Sequence, residues 1–325
     1  MSLKSKVLNY LDISDDEFVS GQQLADEFNV SRTAIWKAIS ELRKEGALIE
    51  AVTNKGYSLL RESTKLSLES LKKELPNYDI YYLDEVDSTN TYLKRIAKED
   101  SDKKTVVVAS KQLKGKGRRG REFVSPDGGI YLSLLINSKD NNDNNLLITS
   151  IASVAISRAI KKVCNVDSKI KWVNDIYIED RKVCGILTEG IIDMEAGRIR
   201  SMVVGIGINF STPIEQFPLE IRNIVTSIYK DEAAIPKKVN RNILVKEVVN
   251  EIYKIWDALP NKDFLDEYRE KSNVLGHKVS IYNKDNSVQT AYAKAINDKA
   301  HLIVELENGD ELELGTGEVT LRVTK

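Results

Sequence analysis

Histidine and cysteine are almost missing from this chain: 325 residues hold two of each. The histidines, His277 and His301, both fall near the C-terminus in strand-like contexts, so a histidine-based triad or a zinc hydrolase centre is not expected. Cys164 and Cys184 form no CxxC or other metal-ligand spacing, which makes a reduced cytoplasm the expected compartment. Met194 and Met202 read as core fillers. Six prolines and 17 glycines are too few for a collagen-like or linker-like chain. Net charge is missing too. Lys+Arg number 48 against 49 Asp+Glu, a balance of −1, so a nucleic-acid partner must be met by a local patch. No apolar run is long enough for a bilayer: Leu146–Ile160 is the longest, and Thr149, Ser150, Ser153, Ser157 and Arg158 interrupt it. The first residues carry charges inside their apolar pattern and show no small-residue cleavage site, unlike a secretory signal. An enzyme with this composition would work by charge and positioning rather than with an imidazole base.

The length of 325 residues suggests two or three domains. The first sixty read as helices followed by a hairpin. Lys4–Leu11 is apolar-periodic; Ser20 caps a two-turn helix through Phe28; Asn29-Val30 turns the chain; Ser31 caps Arg32–Glu45, which stops at Gly46. Leu48–Val52 and Tyr57–Leu60 flank a turn at Asn54-Lys55-Gly56, and Arg61–Leu66 reads as a linker. From Leu66 to Pro260 helices and strands alternate. Strands are expected at Thr105–Ala109, Ile130–Ile136, Lys169–Ile178, Lys182–Ile192 and Ser201–Phe210, and helices at Leu146–Val163 and Lys237–Leu259, the latter one bent helix or a pair. This predicts an α/β domain with a mixed sheet. The last fifty residues hold five short strand patterns: Lys278–Ile281, Thr290–Asn297, Leu302–Glu307, Glu311–Leu314 and Glu318–Val323. Tight turns at Asn283–Asn286, Asn297–Lys299 and Asn308–Asp310 suggest a small barrel.

On a helix from Ser31, Ile35, Ile39 and Leu42 share one face, with Ala38 at its border. Thr33, Lys37, Ser40 and Lys44 fall opposite, with Trp36 at the margin. A short helix, a tight turn and a second helix with a basic outer face fit a helix-turn-helix, and the hairpin fits a wing. Residues 31–61 carry six Lys/Arg, among them Arg32 and Lys55, against three acids, whereas residues 1–30 carry two lysines against six acids. The basic half suits phosphates. A three-helix module that only packs on a neighbour shows the same pattern. Specific DNA binding by one such unit would need a dimer on two half-sites.

The segment Lys114-Gly115-Lys116-Gly117-Arg118-Arg119-Gly120-Arg121-Glu122-Phe123 matches G-x-G-x-x-G by letter. It runs into Val124–Gly129, a breaker cluster, instead of a helix, which argues against a dinucleotide fingerprint. Glycines let backbone N–H groups crowd an anion; Lys116, Arg118, Arg119 and Arg121 add charge; Phe123 offers a stacking face. A nucleotide-like ligand fits, as do a solvated basic loop and a nucleic-acid contact. Further on, Lys171–Tyr177 leads into Arg181–Leu187, where Lys182 opens an apolar strand near Gly185. Lys182 could reach a phosphate or carboxylate, and Asn174 and Asp175 could hold a ribose or metal; each is equally readable as a strand-end polar residue. Gly205 and Gly207 share a strand face, which leaves a slot for a slender ligand or room for a neighbouring element.

Taken in order, these segments resemble the bifunctional biotin–protein ligases of BirA type, which double as biotin-operon repressors. The resemblance is carried by the winged helix-turn-helix, Asp87-Ser88-Thr89-Asn90, Gln112 before the basic loop, Lys171–Asp175, Arg181–Leu187, Gly205–Asn209 and the Gly315–Arg322 end. Phe123 stands where the family usually has Trp, Val173 where Pro is usual, and Lys116 replaces an Arg. The resemblance implies an α+β multidomain chain: a winged helix-turn-helix over 1–62, a mixed α/β catalytic domain over 66–270 and a small SH3-like β-barrel over 274–325. It implies that Ser88, Thr89, Gln112 and the backbone of Gly115 bind the ureido ring, that the backbone at Lys116 and Arg118 together with Lys182 meets the biotin carboxylate, that Gly205 and Gly207 flank the valeryl chain, and that Asn90 and Gly185 also belong to the biotin site. Arg118, Arg121, Phe123, Asn174, Asp175, Lys182 and Asn209 would form the nucleotide site, and Lys182, Arg118 and Arg121 would be catalytic. Arg32, Thr33, Trp36, Lys37, Ser40, Lys44 and Lys55 would face DNA.

The activity implied is attack of the biotin carboxylate on the α-phosphorus of ATP with Mg²⁺, giving biotinyl-5′-AMP and pyrophosphate, then transfer to a lysine of a biotin carboxyl carrier domain of acetyl-CoA or pyruvate carboxylase. The carboxylate is already ionised, so no general base is needed for the first step, in keeping with the scarcity of histidine. Asp175 is the candidate acceptor for the lysine proton in the second. The further partners implied are biotin operator DNA and, with biotinyl-5′-AMP as corepressor, a second copy in a homodimer; no membrane is implied. A non-catalytic ligand-sensing regulator and a lipoyl or octanoyl transferase are the alternatives. The phosphate-binding charge disfavours the first; the basic loop and DNA module disfavour the second.

Overall fold

The computed structural model describes the chain except residues 1, 15–17, 45–48, 60–64, 98–103, 139–141, 194, 196, 237–238, 283–286, 316–319 and 324–325. The expected helix stop at Gly46, the strand ends at Leu48 and Leu60, most of the linker from Arg61, the helix start at Lys237, the Asn283–Asn286 turn and the strand start at Glu318 lie outside the described residues. The chain divides into two compact units, Met1–Thr64 and Lys65–Lys325.

In the first unit, helices α1 (Leu3–Ile13), α2 (Gly21–Glu27) and α3 (Arg32–Lys44) precede a hairpin of β1 (Ile49–Val52) and β2 (Gly56–Leu59). Ser20 and Gln23 form a reciprocal capping box, which fixes the start of α2. Asn29, at φ 54°, takes the left-handed conformation that ends α2, and Ser31 Oγ accepts from Ala34 N at 3.2 Å to start α3. Val7, Leu11, Leu24, Ile35, Ile39, Leu42 and Ile49 close the core.

The second unit runs α4 (Leu68–Glu74), β3 (Asp79–Val86), α5 (Thr89–Ile96), β4 (Thr105–Gln112), β5 (Ile130–Asn137), α6 (Asn142–Asn145), α7 (Ile148–Cys164), β6 (Lys169–Lys171), β7 (Asp175–Ile178), β8 (Arg181–Asp193), β9 (Arg198–Ile208), α8 (Arg241–Asp257) and α9 (Phe264–Glu270). Its seven-stranded sheet has the order β3-β4-β5-β9-β8-β7-β6, with β3–β4 parallel and every other pair antiparallel. It is the mixed sheet expected. One face packs on α7 and α8 through Val106, Val108, Leu132, Leu134, Val204 and Ile206. The other carries α5 through Leu93, Val107, Leu135 and Val203. Alternate residues of each strand therefore serve two different neighbours. The site is built on the α5 face.

Two expectations are corrected. Lys169–Ile178 is two antiparallel strands, β6 and β7, not one, and they are joined by a turn through 172–174. Packing overrides strand propensity there. Trp172 Nε1 donates to the Ala300 carbonyl at 3.0 Å and Tyr268 Oη to the Val173 carbonyl at 3.1 Å, so the turn is held from two sides, and the substitution of Val for Pro leaves it anchored. The Trp172–Val173 peptide bond is cis. The C-terminal strands β10 (Lys278–Tyr282), β11 (Val288–Ile296), β12 (Leu302–Leu306), β13 (Glu311–Leu314) and β14 (Thr320–Val323) form an open antiparallel sheet among the described residues, not a closed SH3-like barrel. Its order is β13-β12-β11-β10-β14, and each four-residue end strand pairs with one neighbour. Val279, Ile281, Ala291 and Leu302 belong to the same core as α7 and α8. Lys237–Leu259 contains one helix, α8.

Candidate functional site

One end of the cleft is uncharged. Ser88 lies at the junction of β3 and α5 with an extended backbone, so Ser88, Thr89 and Asn90 enter the protein at 2–3% exposure. Gln112 ends β4, adjacent to β3. Its Oε1 accepts from Thr89 N at 2.9 Å and lies 3.1 Å from Thr89 Oγ1, and its Nε2 donates to Ser125 Oγ at 2.9 Å. The Asn90 amide is held by Leu187, Glu189 and Ser133. Its Oδ1 would stand 2.1 Å from a Cβ at Gly205, so that glycine makes room for a neighbouring element.

The basic loop is a hairpin. Phe123 N donates to the Gly115 carbonyl at 2.9 Å, Lys116 pairs with Glu122, and Gly117 N donates to the Arg121 carbonyl at 2.7 Å. Arg119 and Gly120, at φ 59° and 73°, make the tip. A Cβ at Gly115 would lie 2.2 Å from the Phe123 carbonyl, so only glycine lets the two arms close. The pairing engages the carbonyl of Gly115, not the N–H expected to face an anion. The hairpin lays the Phe123 ring across the sheet, where a Cβ at Gly207 would meet it at 2.3 Å and one at Gly185 at 2.8 Å. Of the two readings of a glycine-lined strand face, a ligand slot or room for a neighbouring element, Gly185 and Gly207 serve the second, since the Phe123 ring occupies the space over them.

The charged end depends on a β-bulge. Asp175 pairs with Gly185 and Ile176 with Cys184, but Tyr177 pairs with Lys182, which leaves Val183 as an extra residue. Without the bulge, Lys182 and Gly185 would point to opposite faces. With it, Val183 enters the α7 core and Lys182 shares the face of Asp175 and Gly185. Lys182 Nζ then sits 2.7 Å from Asp175 Oδ1 and 5.6 Å from the Phe123 ring centroid. Arg118 reaches over from the hairpin and donates to Asn174 Oδ1 at 3.0 Å. Burial pushes the Arg118 guanidinium down from its ordinary value and the Asp175 carboxylate pulls it back up; arginine stays cationic at physiological pH. A segment after β9 closes this end: Lys182 N donates to the Ile224 carbonyl and Thr226 N to the Lys182 carbonyl, both at 2.8 Å. Asn209 Nδ2 donates to the Thr226 carbonyl at 3.0 Å, and its buried Oδ1 has no partner among the described residues.

The cleft is open to solvent and spans about 450 Å³ including that open space. Of the residues expected there, Ser88, Thr89, Asn90 and Gln112 line one end; Lys116, Arg118 and Phe123 cover it; Asn174, Lys182, Gly185, Gly205 and Gly207 complete it. Gly115, Arg121, Asp175 and Asn209 are outside the lining. Arg121 is exposed, and Asp175 meets the cleft through Lys182. The sequence reading missed Gly117, Ile186, Leu187 and Ile206, which also line the cleft. Ile206 lies between Gly205 and Gly207 with its side chain in the opposite core, and nothing local marked the others.

In the N-terminal unit, Arg32, Thr33, Lys37 and Lys44 are exposed on α3, Trp36 is 62% exposed and Ser40 is half-buried. Lys55 is exposed at the hairpin turn, 5.9 Å from the Phe18 ring centroid. Arg43 instead donates to the Ile49 carbonyl and ties α3 to the wing.

Two family models match this chain: the biotin/lipoate A/B protein ligase family over residues 82–209 and an HTH domain over residues 4–58. The chain is 36% identical over 253 residues to a bifunctional ligase/repressor BirA of Bacillus spizizenii, covering 76% of each protein. To the BirA of Escherichia coli it is 27% identical over 315 residues, covering 95% of each. Among solved structures, a biotin protein ligase from Aquifex aeolicus in complex with biotin and ATP superposes with a TM-score of 0.63 at 28% identity, covering 76% of this chain and 99% of that one. A ligase fold behind a helix-turn-helix is thus the class of molecule. The chain belongs to the biotin protein ligases, in the bifunctional ligase/repressor family.

Proposed function

We propose that this chain is a biotin–protein ligase that activates biotin with ATP to biotinyl-5′-AMP, transfers biotin to a lysine of a carboxylase carrier domain, and represses the biotin operon. The observation that carries this is the polarity of one cleft. Its uncharged end, at Thr89 and Gln112, suits a neutral ring with N–H and C=O groups. Its charged end, at Lys182 and Arg118, suits a carboxylate meeting a phosphate. Between them the Phe123 ring lies over Gly185 and Gly207. Both reactants are anions, and fixed cations there offset their repulsion and the charge that develops at the α-phosphate. The hairpin carrying Arg118 shields the acyl-adenylate from water.

Among the described residues no group of three His, Cys, Asp or Glu side chains could hold a metal. Asp175 is the carboxylate that would receive Mg²⁺ arriving with ATP, since that ion commonly binds through one or two carboxylates plus substrate phosphates. Bound there, Mg²⁺ would supply further neutralisation of phosphate charge. The exposed basic face of α3 supports operator recognition, and a dimer formed with biotinyl-5′-AMP bound would present two such helices to two half-sites. Among the described residues no helix is long and apolar enough to cross a membrane.

The test is biotin-dependent ATP–pyrophosphate exchange, run beside lipoate and octanoate. Exchange with biotin alone is expected. No exchange with any acid leaves a non-catalytic regulator as the better reading, and exchange with lipoate or octanoate in place of biotin overturns the substrate.

A further inference from the structure

Behind the uncharged end of the cleft runs a chain of hydrogen bonds whose direction is fixed at both ends. At one end is Glu189, whose carboxylate accepts from Asn90 Nδ2 at 2.7 Å and from Lys94 Nζ at 2.6 Å. The Leu187 carbonyl accepts from the same Nδ2 at 3.3 Å. A carboxylate and a carbonyl only accept, so the Asn90 amide cannot turn over and its Oδ1 faces Ser133. Ser133 Oγ donates to that oxygen at 2.6 Å and lies 2.8 Å from Thr89 Oγ1. At the other end the Phe123 carbonyl accepts from Ser125 Oγ at 2.8 Å. Ser125 in turn accepts from Gln112 Nε2, which leaves Gln112 Oε1 facing Thr89.

This order decides what the cleft presents. With the Ser133 proton on Asn90 Oδ1, the 2.8 Å contact between the two hydroxyls makes Thr89 Oγ1 the donor to Ser133, so Thr89 has used its one proton and offers a ligand a lone pair. Gln112 Oε1 accepts from Thr89 N and one Nε2 proton goes to Ser125, so the Gln112 amide offers its remaining N–H. Ser133 is 0% exposed and Thr89 and Asn90 are each 3% exposed, so bulk water does not reorder the chain. Ser125, Ser133 and Glu189 are all outside the cleft lining. We propose that Ser133 and Glu189 are positioning residues that hold Thr89 and Gln112 as an acceptor–donor pair, which selects a ring presenting adjacent N–H and C=O groups. The proposal rests on biotin being the ligand and names what in the protein sets its recognition.

The test compares biotin with its two cyclic carbamates, in each of which oxygen replaces one ureido N–H. Affinities are measured calorimetrically for the full-length parent, Ser133→Ala, Glu189→Ala and Glu189→Gln, with KM for ATP alongside. The parent should prefer biotin over at least one carbamate by about tenfold or more, as expected for a buried hydrogen-bond partner left unpaired. In Ser133→Ala and Glu189→Ala that preference should fall to about two- or threefold, with KM for ATP changed by less than about twofold. Glu189→Gln keeps an acceptor for Asn90 and should retain the preference. Equal weakening of biotin and both carbamates in the two alanine variants overturns the proposal and leaves the biotin assignment standing. A parent without preference overturns it as well, and a parent that does not bind biotin removes the assignment itself. If Ser133→Ala does not fold, Glu189→Ala carries the test from its half-buried position.

Discussion

At the scale of single residues, Lys182 is the sharpest test of the site. Lys182→Ala removes the cation that the bulge places beside Asp175. Removing one charged partner of a transition state costs about 10²–10³ in rate, and pyrophosphate exchange should fall by that factor. An exchange rate within a few-fold of the parent would take Lys182 out of the chemistry. Glu189 gives a prediction in pH. Burial pushes its carboxyl up, but hydrogen bonds from Lys94 and Asn90 and the charges of Lys94 and Lys116 outweigh this, so its folded pKa lies below the ordinary glutamate value. Folding therefore favours the ionised form. The stability this adds is present above the unfolded pKa and disappears as pH falls through the lowered folded one. Thermal melts of the parent and of Glu189→Gln should differ at neutral pH and converge below the ordinary glutamate range. Lys182 was legible in the sequence because a lysine opening an apolar strand is conspicuous. Glu189 and Ser133 were not, because each sits in an ordinary strand pattern and gains meaning only from Asn90, more than forty residues away in the chain.

Elements with one clear period were readable. Helix α3 alternates Ile35, Ile39 and Leu42 against Thr33, Lys37 and Lys44, and its buried and exposed faces are those expected. Lys37→Ala with Lys44→Ala should weaken DNA binding and lower its salt slope by about two units, near 0.9 for each phosphate that no longer meets a lysine, with ligase turnover unchanged. Titration of operator DNA at several salt concentrations decides it; an unchanged slope removes α3 from the interface. Elements defined by their neighbours were harder. Strand β3 is largely half-exposed and shows little alternation, so its sequence predicts no strand. The run from Lys169 to Ile178 contains no Gly or Pro and Asn174-Asp175 is its one turn-favouring pair, so the turn through 172–174, anchored by Tyr268 and Ala300, was read as strand. The basic loop reads by composition as an anion cradle, and its hairpin pairing of Gly115 with Phe123 came only with the structure. Arg118→Gly frees the hairpin from Asn174, and the reactive intermediate should then escape. Incubating the variant with biotin, ATP and an unrelated protein should biotinylate that protein above the parent level.

For the whole molecule, repression requires that the cleft and the basic helix be linked. If biotinyl-5′-AMP favours a homodimer, dimerisation tightens biotinyl-5′-AMP binding by the same factor. Sedimentation with and without the adenylate should show a shift toward dimer, and excess unbiotinylated carrier domain should release the operator by consuming the ligand. An unchanged monomer–dimer equilibrium sinks this mechanism and leaves the enzyme assignment intact. The bulge at Val183 has a consequence for chain length. It makes the orientation of Lys182 a matter of counting: one residue more or fewer between Lys182 and Gly185 turns the ammonium into the α7 core and shifts almost nothing in composition. Homologues should therefore vary among apolar side chains at Val183 but never in the spacing from Lys182 to Gly185. A deletion scan along β8 should find an activity gap at Val183, while deletion of Glu195 or Gly197, between β8 and β9, is tolerated.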